Sequence, residues 1–213
     1  WRALSPGTRT VQPVLRDLAG NAPTTPFSLG LLNGSGQYRD TAGAGDVDYY
    51  QFTLRNRAVF SLTLDELQAD LDVRLFSNFF DQTANSSQGA GAEVINPPTE
   101  LNPGTYYIQV FGTAASPYRL SFTVNNLPQL VSNNGLTVSE GVSRAIDATL
   151  LLVTDADDGP DQITYTVAPA PNTLQNGSLS LNGAAIGAGS IFTQPDIIGN
   201  RLTYRHNGSE TLT

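Results

Sequence analysis

Five short segments within the first 124 residues alternate apolar and polar residues with a period of two. These segments are residues 49–54, 58–64, 71–76, 105–111 and 118–124. In the first of them, Tyr50, Phe52 and Leu54 share one face. Successive side chains of a β-strand point to opposite faces, so this pattern predicts half-buried antiparallel strands rather than helices. We therefore predict a β-sandwich over residues 27–124, preceded by a proline-rich lead-in segment over residues 1–26.

The second half of the chain carries another set of short apolar segments, with Asn-Gly pairs beside them that suit tight hairpin turns. These segments are residues 136–138, 148–153, 163–167, 178–182 and 201–205. We predict a second, cadherin- or immunoglobulin-like sandwich over residues 136–213 and a short linker over residues 125–135, which contains Pro128 and two Asn pairs. The sequence stops soon after a strand, so we expect this module to lack its last strand. The predicted fold class is all-β, with two tandem sandwiches.

The composition excludes several classes of function. The net charge of −8 and the absence of Lys disfavour binding to phosphate backbones and anionic membranes. Without Cys, the chain forms neither disulfides nor thiolate metal sites. No apolar run approaches the roughly 20 residues that cross a bilayer. We expect no nucleic-acid partner and no direct membrane insertion. Because the sequence has no Met and starts at Trp1, we also expect it to be a segment of a longer chain.

Five blocks of the first module carry a resemblance to a known family. They are DLAGN (17–21), SLGLL (28–32), GDVDYYQFTL (45–54), ADLDVRLF (69–76) and LNPGTYYIQV (101–110). In their order and spacing, these blocks resemble the bacterial pre-peptidase C-terminal domain. The resemblance implies a jelly-roll-like sandwich attached to secreted proteases and other exported proteins. Some members of that family bind insoluble polymers such as collagen, so the resemblance also implies this kind of binding.

The second module resembles a different family, again through five blocks. They are residues 125–141, 150–167, 176–183, 192–197 and 201–210. These blocks resemble the cadherin-like repeat of chondroitin-sulfate-proteoglycan (CSPG) type. The resemblance implies tandem arrays in very large adhesive proteins, and hence an extracellular or cell-surface location.

Catalytic chemistry has few candidate residues in this sequence. His206 is the only histidine, and no G-x-S-x-G nucleophile motif accompanies it. Asp70 and Asp72 lie two residues apart on the solvent side of one predicted strand, which does not suit a pair of catalytic carboxylates in a cleft. We therefore predict that the chain is not an enzyme, and that His206 packs at a strand end.

Calcium binding has better candidates in the first module. Asp46 and Asp48 flank Val47 directly before a strand, and Asp17 and Asn21 lie in the lead-in. Calcium-binding relatives of the pre-peptidase C-terminal domain join the lead-in to this loop through acidic ligands. The resemblance therefore implies that these two Asp residues, with Asp17 and Asn21, bind Ca²⁺, which takes roughly six to eight oxygen ligands. The alternative is that Asp46 caps a turn and Asp48 hydrogen-bonds locally.

The second module has a calcium candidate of its own. TDADDG (154–159) resembles the Asp-x-Asp motif of cadherins, which makes Asp155 and Asp157 candidate ligands. Glu140 matches a place where cadherins have a glutamate ligand. The alternative is a solvated acidic turn.

Three functions fit these features. The first is a non-catalytic adhesive or structural segment of a large secreted or cell-surface bacterial protein, stiffened by calcium. Its partners are then other modules of the same chain and an extracellular polymer or surface protein. The second is an accessory tail that targets a secreted hydrolase, such as a protease, or assists its export. The third is a subunit of an extracellular filament that a strand from a neighbouring subunit completes.

Overall fold

The computed structural model describes residues 17–77, 82–87, 89, 91–169 and 176–209. Residues 1–16, most of the predicted lead-in, lie outside this set. The expectation of a missing last strand concerns the end of the chain, where residues 210–213 also lie outside it. The chain divides into two compact units, Trp1–Asn125 and Asn126–Thr213.

The first unit has nine strands within the described ranges. They are β1 (Phe27–Leu31), β2 (Gly34–Ala42), β3 (Asp48–Leu54), β4 (Ala58–Asp65), β5 (Leu71–Phe76), β6 (Gln82–Ser86), β7 (Glu93–Ile95), β8 (Gly104–Gly112) and β9 (Ser116–Asn126). One sheet has the order β1-β3-β8-β5-β6, and the other has the order β2-β9-β4-β7. Strands β1 and β3 run parallel, with Phe27 beside Tyr50, whereas β3, β8 and β5 are antiparallel neighbours.

The alternating residues of the first unit fill the space between its two sheets. Phe52 is buried on β3 and Phe60 is buried on β4. Their rings stack with centroids 5.1 Å apart, and Tyr106 of β8 stacks on Phe52 at 5.4 Å. Burying a side chain of this kind contributes roughly 1.5–3 kcal/mol. A contiguous apolar core therefore holds the sheets together, and the prediction of an all-β sandwich is confirmed.

In the described residues, the second unit has eight strands, a 3-10 turn and one short helix. They are β10 (Gln129–Asn133), β11 (Ser143–Ala145), β12 (Leu151–Thr154), the 3-10 turn (Pro160–Gln162), β13 (Thr164–Thr166), β14 (Gly177–Leu181), β15 (Ala184–Ile186), β16 (Ile191–Thr193), α1 (Gln194–Ile198) and β17 (Leu202–His206). One sheet has the order β11-β17-β14-β15, while β10 pairs with β12 and β13 pairs with β16. A smaller core joins them, made of Leu179, Phe192, Ile197, Leu202 and Tyr204.

Helix α1 begins at a capping motif directly after β16. Asp196 accepts hydrogen bonds from the backbone N–H and the hydroxyl of Thr193, at 2.8 and 2.9 Å. Pro195 stands in the first turn, where its missing N–H is not needed. Within the described parts of the chain, no helix is both long and apolar enough to cross a membrane.

Two predicted boundaries differ from the structure. The predicted linker over residues 125–135 contains strand β10, which pairs in antiparallel fashion with β12. The Pro and Asn residues that indicated a linker lie largely on either side of that strand. The predicted strand over residues 136–138 belongs to no strand in the structure. Its apolar residues Leu136 and Val138 instead pack, partly buried, against the core of the second unit.

Candidate metal centre

The lead-in segment is attached to the first residues of β3. The N–H of Tyr49 donates to the carbonyl of Gly20 at 2.8 Å and forms an antiparallel bridge. A Cβ at position 20 would lie 1.6 Å from the carbonyl oxygen of Thr25, which is a direct collision. Glycine at this position therefore allows the lead-in to turn tightly and run beside β3.

A tight turn between β2 and β3 presents the acidic pair. Gly43 and Asp46 exchange backbone hydrogen bonds of 2.9 and 3.2 Å. The two residues between them, Ala44 and Gly45, have φ angles of +56° and +96°. Positive φ at both central positions is typical of the type I′ turns that join twisted antiparallel strands. Asp46 closes this turn, and Asp48 begins β3 two residues later.

The structure brings Asp17, Asp46 and Asp48 together, and we call them the three-carboxylate group. One carboxylate oxygen of each lies within 4.8 Å of the others. Asp17 is exposed, Asp46 is half-buried and Asp48 is fully buried. Asn21, the fourth predicted ligand, is exposed and directly follows the bridge at Gly20. Its part in the site stays a prediction.

Two oxygens of the three-carboxylate group are buried without a hydrogen bond. The hydroxyl of Tyr118 donates to Asp48 Oδ2. Asp48 Oδ1 and Asp46 Oδ1 have no hydrogen-bond partner among the residues that the structure describes, and we call them the two open oxygens. Leaving a buried polar atom unsatisfied costs about 1–3 kcal/mol, and more for a charged group. A cation in contact with both oxygens would remove this cost.

Burial and neighbouring negative charges raise the pKa values of Asp48 and Asp46. Burial raises the pKa of Asp48 to about 7, although the hydrogen bond from Tyr118 acts in the opposite direction. The negative charges of Asp40 and Asp46 add to the rise. Burial also raises the pKa of Asp46, and the charge of Asp17 is the next largest cause. A positive ion in this position would favour the ionised form of each acid.

The donor set suits a hard divalent cation. All three acidic donors are carboxylate oxygens, and Ca²⁺ takes roughly six to eight oxygen ligands, including backbone carbonyls and water. Zn²⁺ prefers nitrogen and sulfur donors. The chain has no Cys, and its single histidine, His206, belongs to the second unit. The three carboxylates therefore fit Ca²⁺, whose shell would need further oxygens, such as backbone carbonyls or water, to be complete.

Asp40, for which the sequence predicts no role, holds the lead-in through hydrogen bonds. Asp40 is 1% exposed, and its Oδ2 accepts the N–H groups of Leu18 and Ala19, both at 3.0 Å. The signal was present in the alternation of β2, where Asp40 and Ala42 occupy the inward-facing positions. An acidic residue at an inward position of a strand indicates a buried partner.

A second group of carboxylates lies elsewhere in the first unit. Oxygens of Asp70, Asp72 and Glu93 lie within 4.8 Å of one another. The fully buried member, Glu93, accepts a hydrogen bond from the hydroxyl of Ser86. The fully buried member of each group thus accepts a hydrogen bond from a hydroxyl, and Asp72 Oδ1 of the second group is also buried without a hydrogen-bond partner among the described residues. The sequence does not indicate that Glu93 approaches Asp70 and Asp72, because β7 and β5 belong to different sheets.

In the second unit, Asp155 and Asp157 shape their own loop. Asp155 Oδ1 accepts the N–H groups of Asp157 at 3.1 Å and of Asp158 at 3.4 Å. Both oxygens of Asp157 accept the N–H of Asn126, at 3.0 and 3.1 Å. Glu140 is exposed. Among the described residues, its carboxylate does not cluster with those of Asp155 and Asp157. Asp155 Oδ2 is buried without a hydrogen-bond partner among the described residues, and calcium binding by this loop stays a prediction beside the alternative of an acidic turn.

Both units match known families. Residues 46–112 match the family model of the bacterial pre-peptidase C-terminal domain, and residues 128–213 match that of the cadherin-like domain. The chain is thus a tandem of β-sandwich modules of the kind found in extracellular proteins. In this order along the chain, the two segments are similar to a bacterial pre-peptidase C-terminal domain and to a cadherin-like domain, and both predicted resemblances are confirmed.

Several large extracellular proteins contain a segment similar to this chain. FRAS1-related extracellular matrix protein 2 of Homo sapiens is 32% identical over 90 residues, which cover 42% of this chain and 3% of that protein. Chondroitin sulfate proteoglycan 4 of Homo sapiens is 38% identical over 82 residues, which cover 38% of this chain and 3% of that protein. The chain therefore spans only a small fraction of the length of these relatives.

One solved structure similar to the chain is the pre-peptidase C-terminal domain of collagenase from Bacillus anthracis. It aligns with a TM-score of 0.38 and 20% sequence identity, over 46% of this chain and 93% of that one.

The domains matched by the family models are of non-catalytic kinds and occur as modules of larger extracellular proteins.

Proposed function

We propose that this chain is an adhesive and structural segment of a large secreted or cell-surface protein, and that Ca²⁺ stiffens its first unit. The observation that carries the calcium part is the pair of open oxygens, on Asp46 and Asp48, beside the carboxylate of Asp17. Asp17 belongs to the lead-in, whereas the other two acids belong to the β2–β3 turn and to β3. An ion bound by all three ties the lead-in to the sandwich.

The stiffening follows from binding that occurs only in the folded state. The three acids are brought together by folding, so Ca²⁺ binds the folded chain and not the unfolded one. A ligand present at about 100 times its dissociation constant stabilises the folded state by about 2.7 kcal/mol. Extracellular calcium modules have dissociation constants of roughly 10⁻⁴–10⁻³ M, and we expect this site to fall in that range.

The adhesive and structural part rests on the two matched domains and on the similarity to extracellular matrix and cell-surface proteins. His206 supports it as well, because this residue is buried at the end of β17 and its Nδ1 accepts the N–H of Gly208 at 3.0 Å. That is the environment of a strand-end residue. The partners in this account are other modules of the same chain and an extracellular polymer or surface protein.

A calcium titration of the folded chain tests the proposal. Thermal unfolding is followed in EDTA and in increasing CaCl₂, for the wild type and for the double variant Asp46→Asn/Asp48→Asn. We expect calcium to raise the melting temperature of the wild type and not that of the double variant. Asp161→Asn, which removes an exposed acid of the 3-10 turn, is the matched control and should respond like the wild type. An equal response of all three proteins would contradict the site.

A second candidate function is that of a targeting tail on a secreted hydrolase. The match of residues 46–112 to the pre-peptidase C-terminal model favours it. Cosedimentation of the chain with insoluble collagen, compared with bovine serum albumin as a non-binding control, tests this candidate. Saturable retention of the chain supports a targeting role, and recovery of the whole chain in the supernatant argues against collagen as its polymer.

A further inference from the structure

We infer that Asp40 is a positioning residue of the calcium site: without binding the ion, it holds the lead-in next to Asp17 and, through two buried tyrosines, orients Asp48. This inference rests on the proposed calcium site. It concerns residues that contact the ligands rather than the ligands themselves.

The first arm of this arrangement holds the lead-in. Asp40 Oδ2 accepts the N–H groups of Leu18 and Ala19 at 3.0 Å each, and Oδ1 accepts that of Thr41 at 3.0 Å. Leu18 directly follows Asp17 in the chain. Because β2 is paired with β9 along its whole length, the Asp40 carboxylate is a fixed point in the sandwich. Two charge-assisted hydrogen bonds to adjacent amides therefore fix the backbone beside Asp17.

The second arm runs through the interior to Asp48. The hydroxyl of Tyr50 lies 3.3 Å from Asp40 Oδ2 and 2.5 Å from the hydroxyl of Tyr118. Tyr118 in turn donates to Asp48 Oδ2. Burial raises the pKa of both tyrosines, so each keeps its proton and remains a donor. Because each neutral hydroxyl has a single proton, Tyr50 donates to Asp40 and Tyr118 donates to Asp48, and the two hydroxyl oxygens lie in contact between the carboxylates.

The two tyrosine rings are themselves held in place. Phe27 contacts the Tyr50 ring edge-on with centroids 6.1 Å apart, and Tyr38 lies at 6.4 Å from it. Both tyrosines are 1% exposed. A donor fixed in this way holds Oδ2 of Asp48 and leaves Oδ1 as the oxygen for the cation. Positioned supporting contacts of this type commonly change metal affinity about 10- to 100-fold.

Calcium affinity measured on point variants tests the inference. Isothermal titration of the full chain with CaCl₂ at neutral pH is carried out on Tyr118→Phe, Tyr50→Phe and Asp40→Asn. Each Tyr→Phe change keeps the ring and removes only the hydroxyl, and Asp40→Asn keeps an acceptor oxygen but removes the charge. We expect all three to weaken calcium binding by about tenfold or more, with Tyr118→Phe the clearest case.

Tyr106→Phe is the matched control. Tyr106 is also buried, but its hydroxyl donates to the carbonyl of Asn102 at 2.8 Å, away from this chain of hydrogen bonds. It should lose comparable stability in EDTA and keep wild-type calcium affinity, which separates positioning from general destabilisation. Far-ultraviolet circular dichroism identifies any of the three variants that does not fold. The calcium affinities of the variants that do fold then test the positioning role.

The outcomes separate this inference from the proposed function. If the wild type binds calcium and the three variants bind it as tightly as Tyr106→Phe, the positioning role is wrong and the calcium site stands. If the wild type itself does not bind calcium, the proposed site fails, and the inference fails with it.

Discussion

Tyr118 and Asp48, which are 70 residues apart in the sequence, are hydrogen-bonded in the interior of the first unit. Tyr118 lies on β9 and Asp48 on β3, so this bond joins the two sheets of the sandwich. The three-carboxylate group therefore reaches into the core of the fold. Its ionisation, and any ion that it binds, must affect the stability of the whole unit.

Replacing Asp48 by Asn should have opposite effects with and without calcium. In EDTA at neutral pH, the change removes a buried charge with an open oxygen, and we expect the free energy of unfolding to rise by about 1–3 kcal/mol. In saturating calcium the variant should be less stable than the wild type, because it has lost a ligand. Urea unfolding in both buffers measures this, and a variant that is destabilised equally in both would contradict it.

The stability of the chain in EDTA should fall as the pH rises from about 4 to about 7. The pKa of Asp48 rises from 3.8 to about 7 on folding, chiefly through burial. The folded state therefore holds a proton that the unfolded state has released, and this advantage is lost as the pH passes about 7. Each unit of pKa difference corresponds to about 1.4 kcal/mol, so a total of a few kcal/mol is the upper bound.

Urea unfolding at several pH values checks this dependence, and two comparisons isolate its source. Asp48→Asn should flatten the decline in EDTA, because the titrating group is gone. Saturating calcium should also remove it, since the ion holds Asp48 ionised in the folded state. A decline of the same size in the Asn variant would assign the pH dependence to another group.

Gly20→Ala should weaken calcium binding although position 20 contributes no ligand. The added Cβ collides with the carbonyl oxygen of Thr25, so the lead-in must leave its place beside β3 and carry Asp17 with it. Gly91→Ala is the control, because a Cβ there has no atom within 4 Å in the described chain. We expect calorimetry to show at least a tenfold loss of affinity for the first variant and none for the second. Equal affinities would show that Asp17 is not required.

Phe52→Ala should destabilise the first unit by about 3–5 kcal/mol, because Phe52 stacks on both Phe60 and Tyr106 in the core. Val59→Ala on β4 is the control, since Val59 is 53% exposed. We expect the free energy of unfolding of that variant to lie within about 0.5 kcal/mol of the wild type. Urea denaturation of each variant measures the difference, and similar losses for the two would contradict the described core.

The strands of the first unit were predictable because buried and less buried side chains alternate along each strand, which makes the pattern visible in a short stretch of sequence. One polar residue separates Tyr50 from Phe52, another separates Phe52 from Leu54, and all three apolar side chains are buried. The second unit was less predictable, since its strands are short and Leu136 and Val138 reach the core without belonging to one. Pro128 and the Asn pairs indicate chain breaks but do not reveal that β10 lies between them.

The candidate site was predictable only where its residues are close in sequence or share the family pattern. The turn that contains Asp46 and Asp48 is a local feature. The contacts of Asp40 with the lead-in, and of Tyr118 with Asp48, join segments that only the folded chain brings together. Nothing in the sequence near Glu93 indicates that it approaches Asp70 and Asp72.

The central claim is that one calcium ion joins the lead-in to the sandwich, and diffraction from crystals grown with CaCl₂ tests it most directly. Anomalous difference density is measured at a wavelength where calcium scatters. We predict a peak between Asp17, Asp46 and Asp48, with carboxylate oxygens at about 2.3–2.6 Å from it. Clear density for the three side chains with no anomalous peak among them would contradict it.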